Sequence, residues 1–316
     1  AGGPGSYLAK NNFSANWYDP GNHLWDVPGL EKYHGTNTYL TEVLTNEANE
    51  AINNAVEEKK PFYLYMSHYA IHAPWEKDDR FYQKYIDAGL TEFDAIYASM
   101  LEGMDKSLGD IRANLKRLGV DKNTIIVFMS DNGAPKEASR NFPLRGHKLT
   151  PYEGGIRVPM IAKWPSVTRP GSINSQYIII EDIFPTFLEI AGLDEAKMKK
   201  SLDGVSFVPL LMGKGEYPVE RPIFWHYPNT YDQPPYSAIR KGDWKLIYRH
   251  INGRLELYNL YDDIGEANDL AIVNRNKVME LAQLLSEYLE ETKGQMPTDK
   301  ETGLVVDYPM KLLSKR

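Results

Sequence analysis

The chain has 316 residues, no cysteine, and a formal net charge of -7 from 36 basic and 43 acidic side chains. Without cysteine there are no disulfides, thiolate metal sites or cysteine nucleophile within it, and the acidic balance argues against a nucleic-acid partner, which needs a basic face. Hydrophobic content of 42% supports a sizeable core, the length suits a large α/β domain plus a smaller one, and no apolar run approaches the roughly 18 residues of a membrane span.

In chain order, residues 1–35 are rich in Gly, Asn, Pro and Trp and read as an irregular surface segment. Its start, Ala1-Gly2-Gly3-Pro4-Gly5-Ser6, reads as the middle of a loop, hence as an artificial, proteolytic or processed boundary. Leu40, Val43, Leu44, Ala48, Ile52 and Val56 recur at helical spacing, which predicts a helix over 36–58. The apolar run Phe62-Tyr63-Leu64-Tyr65-Met66-Ser67 after Pro61 predicts a buried strand, with a loop at 68–75 beyond its carboxyl end. A long helix follows, with Tyr97, Met100, Leu101, Met104, Leu108, Ile111, Leu115 and Leu118 on one face and Gly119 as its stop. Thr124-Ile125-Ile126-Val127-Phe128-Met129-Ser130 is a second buried strand, and helix, turn, β-branched run and polar loop together predict a parallel α/β sheet. Further strands are expected at 158–164 and 177–180, and a helix capped by Asp182 runs to Ile190.

The pattern changes after an irregular stretch at 204–222. Short strands at 223–227, 237–240, 244–248 and 255–260 are separated by turns, with Lys241-Gly242-Asp243 as a hairpin connection. A helix over 277–291 closes the region. The organisation expected is an α/β domain over 1–215 and a small antiparallel α+β subdomain over 216–316.

Ligands of open α/β sheets sit beyond the carboxyl ends of strands, and three loops there carry chemistry. Asp131-Asn132 pairs a carboxylate with an amide oxygen just past a strand, which suits a hard cation such as Ca²⁺ or Mg²⁺; Asp-Asn-Gly is equally a common turn. His72, in Ser67-His68-Tyr69-Ala70-Ile71-His72-Ala73-Pro74, offers an imidazole to an oxyanion or a leaving group, although a lone loop histidine is more often merely solvated. Lys148 is a compact charge suited to a tetrahedral oxyanion, and Gly146, Gly154 and Gly155 nearby let backbone approach closely; taken alone, such a lysine is usually a solvated charge.

The succession is more specific than its parts. A His-x-Pro loop after a strand, Ser130-Asp131-Asn132-Gly133 after a strand, and Gly146-His147-Lys148-Leu149-Thr150-Pro151-Tyr152-Glu153-Gly154-Gly155-Ile156-Arg157-Val158-Pro159 resemble the type I sulfatases of the alkaline phosphatase superfamily. Asp182-Ile183-Phe184-Pro185-Thr186, Leu257-Tyr258-Asn259-Leu260 and Asp269-Leu270-Ala271 extend the resemblance over nearly the whole chain. It implies an alkaline-phosphatase-like mixed, mainly parallel sheet flanked by helices, and a sulfuric ester hydrolase acting on a sulfated small molecule or glycan. It assigns Asp131 and Asn132 to Ca²⁺, Lys148 to a sulfate oxygen and His72 to the sulfate and bridging-oxygen side. His226 resembles a substrate-cleft position of some bacterial members, and a structural role for it is as good a reading. The family also implies a periplasmic or secreted location.

The formylglycine that such enzymes make within Cys/Ser-x-Pro-Ser-Arg has no counterpart here, and the N-terminal Asp-Asp pair that completes the calcium site is absent. Asp262-Asp263-Ile264-Gly265 imitates that pair, but no strand of the main sheet leads into it, so it reads as a decoy. The resemblance therefore places the nucleophile and several core strands outside this chain, leaves the chain alone inactive, and implies a companion N-terminal fragment or a homo-oligomer over the bared sheet edge. Two other readings stay open: a non-catalytic binder of sulfated glycans, and a phosphodiesterase or phosphonate hydrolase on the same scaffold, which would favour transition metals.

Overall fold

The computed structural model describes residues 5–13, 27–193 and 201–315; the irregular segment expected over 1–35 lies partly outside them. Two compact units divide the chain, Ala1–Thr124 and Ile125–Arg316. The boundary expected near residue 215 falls inside the second. No described helix is long and apolar enough to cross a membrane.

The first unit holds α1 (Leu40–Glu57), α2 (Tyr82–Asp87) and α3 (Glu92–Arg117). The Thr91 hydroxyl accepts the Asp94 N–H at 3.2 Å, and acidic side chains in the first turn with basic ones in the last complement the dipole of α3. α1 packs on α3 around Leu40, Val43 and Met100, joined by Tyr7, Phe13 and Tyr39. A polar seam crosses this core. The Thr45 hydroxyl lies 2.6 Å from that of Ser107, which meets His68 Nε2 at 3.3 Å.

The buried strand expected at 62–67 is not formed. Phe62, Tyr63, Leu64 and Tyr65 are 37%, 70%, 39% and 76% exposed, and the segment has no ladder partner among the described residues. An apolar run becomes a buried strand only where neighbours supply its hydrogen bonds and cover both faces.

The second unit begins with β1 (Ile126–Met129), α4 (Glu153–Ile156) and β2 (Met160–Lys163). β1 and β2 pair antiparallel, Ile126 opposite Lys163 and Met129 opposite Met160. The parallel arrangement expected here does not hold for this pair, because the polar loop between them folds back at α4. The strand expected at 177–180 is also replaced: the chain enters a 3-10 turn, Ile180–Asp182, leading to α5 (Ile183–Ile190). Fully buried Asp182 does not cap α5 with its side chain. It accepts the N–H groups of Ile179 at 2.9 Å and Val205 at 2.8 Å, and pairs with Arg221.

After α6 (Val208–Met212) come β3 (Ile223–Tyr227), β4 (Tyr236–Lys241), β5 (Trp244–Arg249) and β6 (Arg254–Asn259), an antiparallel sheet in that order, then α7 (Arg275–Glu291) and α8 (Pro309–Leu313). These strands follow the expected spans within a residue or two. Ile239, Leu246 and Leu257 lie side by side on one face and pack against Val278, Leu281, Leu285 and Leu289 of α7. By strand alternation Arg240, Lys245, Ile247, Arg249, Glu256 and Tyr258 occupy the other face. That face is buried too, and Tyr152 and Ile264 pack against it.

Two buried histidines predict an acid response. Burial lowers His68 from 6.5 to about 4 and, helped by His226, His250 to about 3. Both are neutral when folded, so their stabilising contribution is complete above 6.5 and is lost as pH falls from there toward the folded values. In the full-length protein, urea midpoints should fall between about pH 7 and about pH 5, and fall less in His250→Asn. An equal drop in both proteins contradicts the assignment for His250.

Candidate active site

Asp131, Asn132 and Lys148 all lie in the second unit, and main-chain bonds bring their loops together. Gly133, directly after Asn132, donates its N–H to the Gly155 carbonyl at 3.0 Å. Lys148 N–H donates to the Ala134 carbonyl at 2.8 Å, and Gly154 N–H to the Arg145 carbonyl at 2.7 Å. The crossing admits no side chain. A Cβ on Gly133 would sit 1.9 Å from the Gly154 carbonyl oxygen, and one on Gly155 would sit 2.3 Å from that of Thr150. The glycines of the motif are therefore needed for close approach of two loops.

Asp131 is exposed at the end of β1, where its Oδ1 accepts the Asn132 N–H at 2.8 Å. The Asn132 amide donates to the Gly133 carbonyl at 3.0 Å, which turns its Oδ1 away from that contact. Asp131 Oδ2 and Asn132 Oδ1 are thus hard oxygens that accept no hydrogen bond among the described residues. Two donors are fewer than the six to eight that calcium takes, and among the described residues no group of three His, Cys, Asp or Glu side chains could hold a metal. The fit is partial: these oxygens suit calcium and need further ligands. Among the described residues the Lys148 ammonium has no ion pair or hydrogen bond, so its charge is available to an anion.

His72 belongs to the first unit. Tyr7 donates its phenol toward the carbonyls of Tyr69 and His72, 2.5 and 2.9 Å away, and Tyr39 donates to the Glu76 carbonyl at 2.7 Å, so both ends of the loop are pinned. His72 Nδ1 lies 2.7 Å from the Ala73 carbonyl, an arrangement only an N–H satisfies, which leaves Nε2 for a ligand. His226 is on β3, with Nδ1 2.9 Å from the Ser237 hydroxyl and Nε2 3.0 Å from the Gln295 carbonyl. Ser237 in turn meets His250 Nε2 at 2.8 Å. Both His226 nitrogens are engaged internally, which favours its structural reading.

The sheet face opposite α7 holds the Lys148 loop through side chains to which sequence reasoning gave no role. The fully buried Lys245 ammonium bonds Glu153 Oε1 at 3.0 Å and makes an ion contact with Glu266 Oε1 at 2.8 Å, at a poor angle for a hydrogen bond. Burial opposes ionisation of both carboxyls. At Glu153 the charges of Lys245, Arg240 and Arg157 overcome it and hold the group below 4.5, whereas Glu266 stays raised. Beside them, Glu256 accepts from Tyr152 and Tyr258, each at 2.9 Å, and from Arg249 at 2.9 Å, while the Arg145 guanidinium lies 3.9 Å from the centre of the Tyr152 ring. The available signal was Lys245 itself, a lysine within the strand Trp244-Lys245-Leu246-Ile247.

Comparison with known proteins completes the picture. A crystal structure of Ps i-CgsB in complex with k-i-k-neocarrahexaose superposes with a TM-score of 0.72 at 29% identity, covering 80% of this chain and 56% of that one. The class defined is thus the alkaline-phosphatase-like mixed α/β fold with a C-terminal antiparallel sheet. The sulfatase family model matches residues 2–193, and that of the N-sulphoglucosamine sulphohydrolase C-terminal region matches 147–295. The chain belongs to the sulfatase family, the type I sulfatases of the alkaline phosphatase superfamily. A sulfatase of Formosa agariphila is 32% identical over 304 residues, 88% of this chain and 54% of the relative. N-acetylgalactosamine-6-sulfatase of Mus musculus is 34% identical over 250 residues, 77% of this chain and 45% of the relative. The chain thus spans about half the length of these relatives.

Proposed function

We propose that the full-length protein hydrolyses the sulfuric ester of a sulfated carbohydrate. The observation that carries this reading is the stitched pair of loops, whose main-chain bonds bring the Asp131-Asn132 turn beside the loop of Lys148, a lysine with no side-chain partner among the described residues. Support for a carbohydrate comes from the relatives, one named an N-acetylgalactosamine-6-sulfatase and one solved with a neocarrahexaose. In this reading the formylglycine nucleophile comes from sequence outside these 316 residues, which is supported by the chain spanning about half the length of these relatives.

In this reading Asp131 and Asn132 hold one side of a calcium ion, which when bound supplies positive charge to the sulfate oxygens. Lys148 binds a sulfate oxygen and neutralises charge that grows there as the ester bond breaks. For His72, in the first unit, the family resemblance implies a role on the bridging-oxygen side, and its Nδ1–H held by the Ala73 carbonyl leaves Nε2 free for such a role. Removing calcium from the full-length protein with a chelator should lower release of sulfate about ten-fold or more, with recovery on adding calcium and none on adding zinc. Recovery by zinc alone would favour the phosphodiesterase reading, and undiminished turnover would remove calcium from the account.

A further inference from the structure

The turn Asp262-Asp263-Ile264-Gly265, set aside by sequence as a decoy, leads into Glu266, which meets the Lys148 loop at both ends. Glu266 Oε2 accepts the Glu153 N–H at 2.6 Å, and the Glu266 carbonyl accepts the Arg145 guanidinium at 2.8 Å. Arg145 precedes Lys148 by three residues and Glu153 follows it by five, so one residue ties down the two ends of that loop. We propose that Glu266 is a positioning residue that fixes where Lys148 presents its ammonium. This deepens the reading of Lys148 as a sulfate ligand and rests on it.

The turn is built for such a contact. Glu266 has φ +51°, a left-handed conformation that glutamate adopts only when its surroundings impose it. The Asp263 carboxylate accepts the N–H groups of Ala267 at 3.1 Å and Asn268 at 2.8 Å, and Asp263 O accepts that of Glu266 at 3.1 Å. Gly265 leaves room for the Pro143 carbonyl, which a Cβ would approach to 2.9 Å. Fully buried, the Glu266 carboxylate also faces Lys245. The Lys148 side chain has no bond of its own among the described residues, so its position depends on the main chain that carries it. Fixing both ends of a short loop removes freedom that substrate binding would otherwise have to remove. A merely structural cluster would stabilise the sheet without governing the loop, and the two differ in what they predict.

The test is Glu266→Gly in the full-length protein, which removes the carboxylate while suiting the backbone angle. Amides of residues 144–153 should exchange with deuterium about ten-fold faster or more, while those of α7 keep their rate. kcat/KM for a sulfated sugar should fall about ten-fold or more, and Lys148→Ala should cost less in the Glu266→Gly background than in the wild type. Unchanged exchange over 144–153, or full additivity of the two substitutions, overturns the proposal. If exchange quickens as expected but Lys148→Ala alone leaves hydrolysis intact, the sulfate role of Lys148 is what fails. Should Glu266→Gly not fold, Arg145→Leu cuts the other tie and carries the same expectations.

Discussion

Lys148→Ala in the full-length protein should lower kcat/KM for sulfate-ester hydrolysis by about two to three orders of magnitude, the loss typical of removing one donor to a developing oxyanion. Folding should be little affected, because among the described residues the ammonium bonds nothing. Lys148→Arg should recover little: the guanidinium is a planar fork, larger than the point charge it replaces. Steady-state kinetics with an aryl sulfate and a sulfated galactose, alongside urea unfolding of each variant, separate the two effects. Activity of Lys148→Ala within about three-fold of wild type would remove this residue from the site.

Lys245→Met should act in the opposite way, through stability first. The wild-type ammonium is fully buried between Glu153 and Glu266, and deleting one partner of such a cluster costs about 3–5 kcal/mol because the remaining charge is left uncompensated. Glu153 keeps Arg157 at 3.3 Å and Arg240 at 3.6 Å; Glu266 keeps no cationic side chain within an ion-pair distance among the described residues. Combining Lys245→Met with Glu266→Gln removes the stranded acid and should return part of the lost stability. A single Lys245→Met variant that unfolds within about 1 kcal/mol of wild type in urea would show that the cluster is not an energetic centre.

Much of the scaffold was legible because its elements carry their own periodicity. α3 repeats apolar residues every three or four positions and opens on Thr91, and the four C-terminal strands are separated by turn residues such as Gly242. The segment at 62–67 misled because its aromatic run looks the same whether or not neighbours cover it. Strand direction at β1 and β2 was equally hidden, since it is set by the fold-back of the loop between them and not by either strand.

The candidate residues Asp131, Asn132 and Lys148 were readable as motifs, and Gly133, Gly154 and Gly155 now supply the physical reason for their proximity. The support under them was not readable. The C-terminal region read as a small separate subdomain from its short strands and turns, and no role was given to Lys245, Ile247 and Arg249, which share one face of β5. In the folded unit that face lies beneath Tyr152, Glu153 and Glu266. Its central ion pair joins Lys245 to Glu153, 92 positions away in sequence, a pairing no local pattern reveals.

The most direct measurement is a crystal structure of the full-length protein with calcium and inorganic sulfate. Oxygens of Asp131 and Asn132 should lie about 2.3–2.6 Å from one calcium ion, and Lys148 Nζ about 2.7–3.2 Å from an oxygen of a sulfate bound to that ion. A sulfate held elsewhere, or calcium bound without either of these side chains, contradicts the claim that the two loops serve one tetrahedral anion.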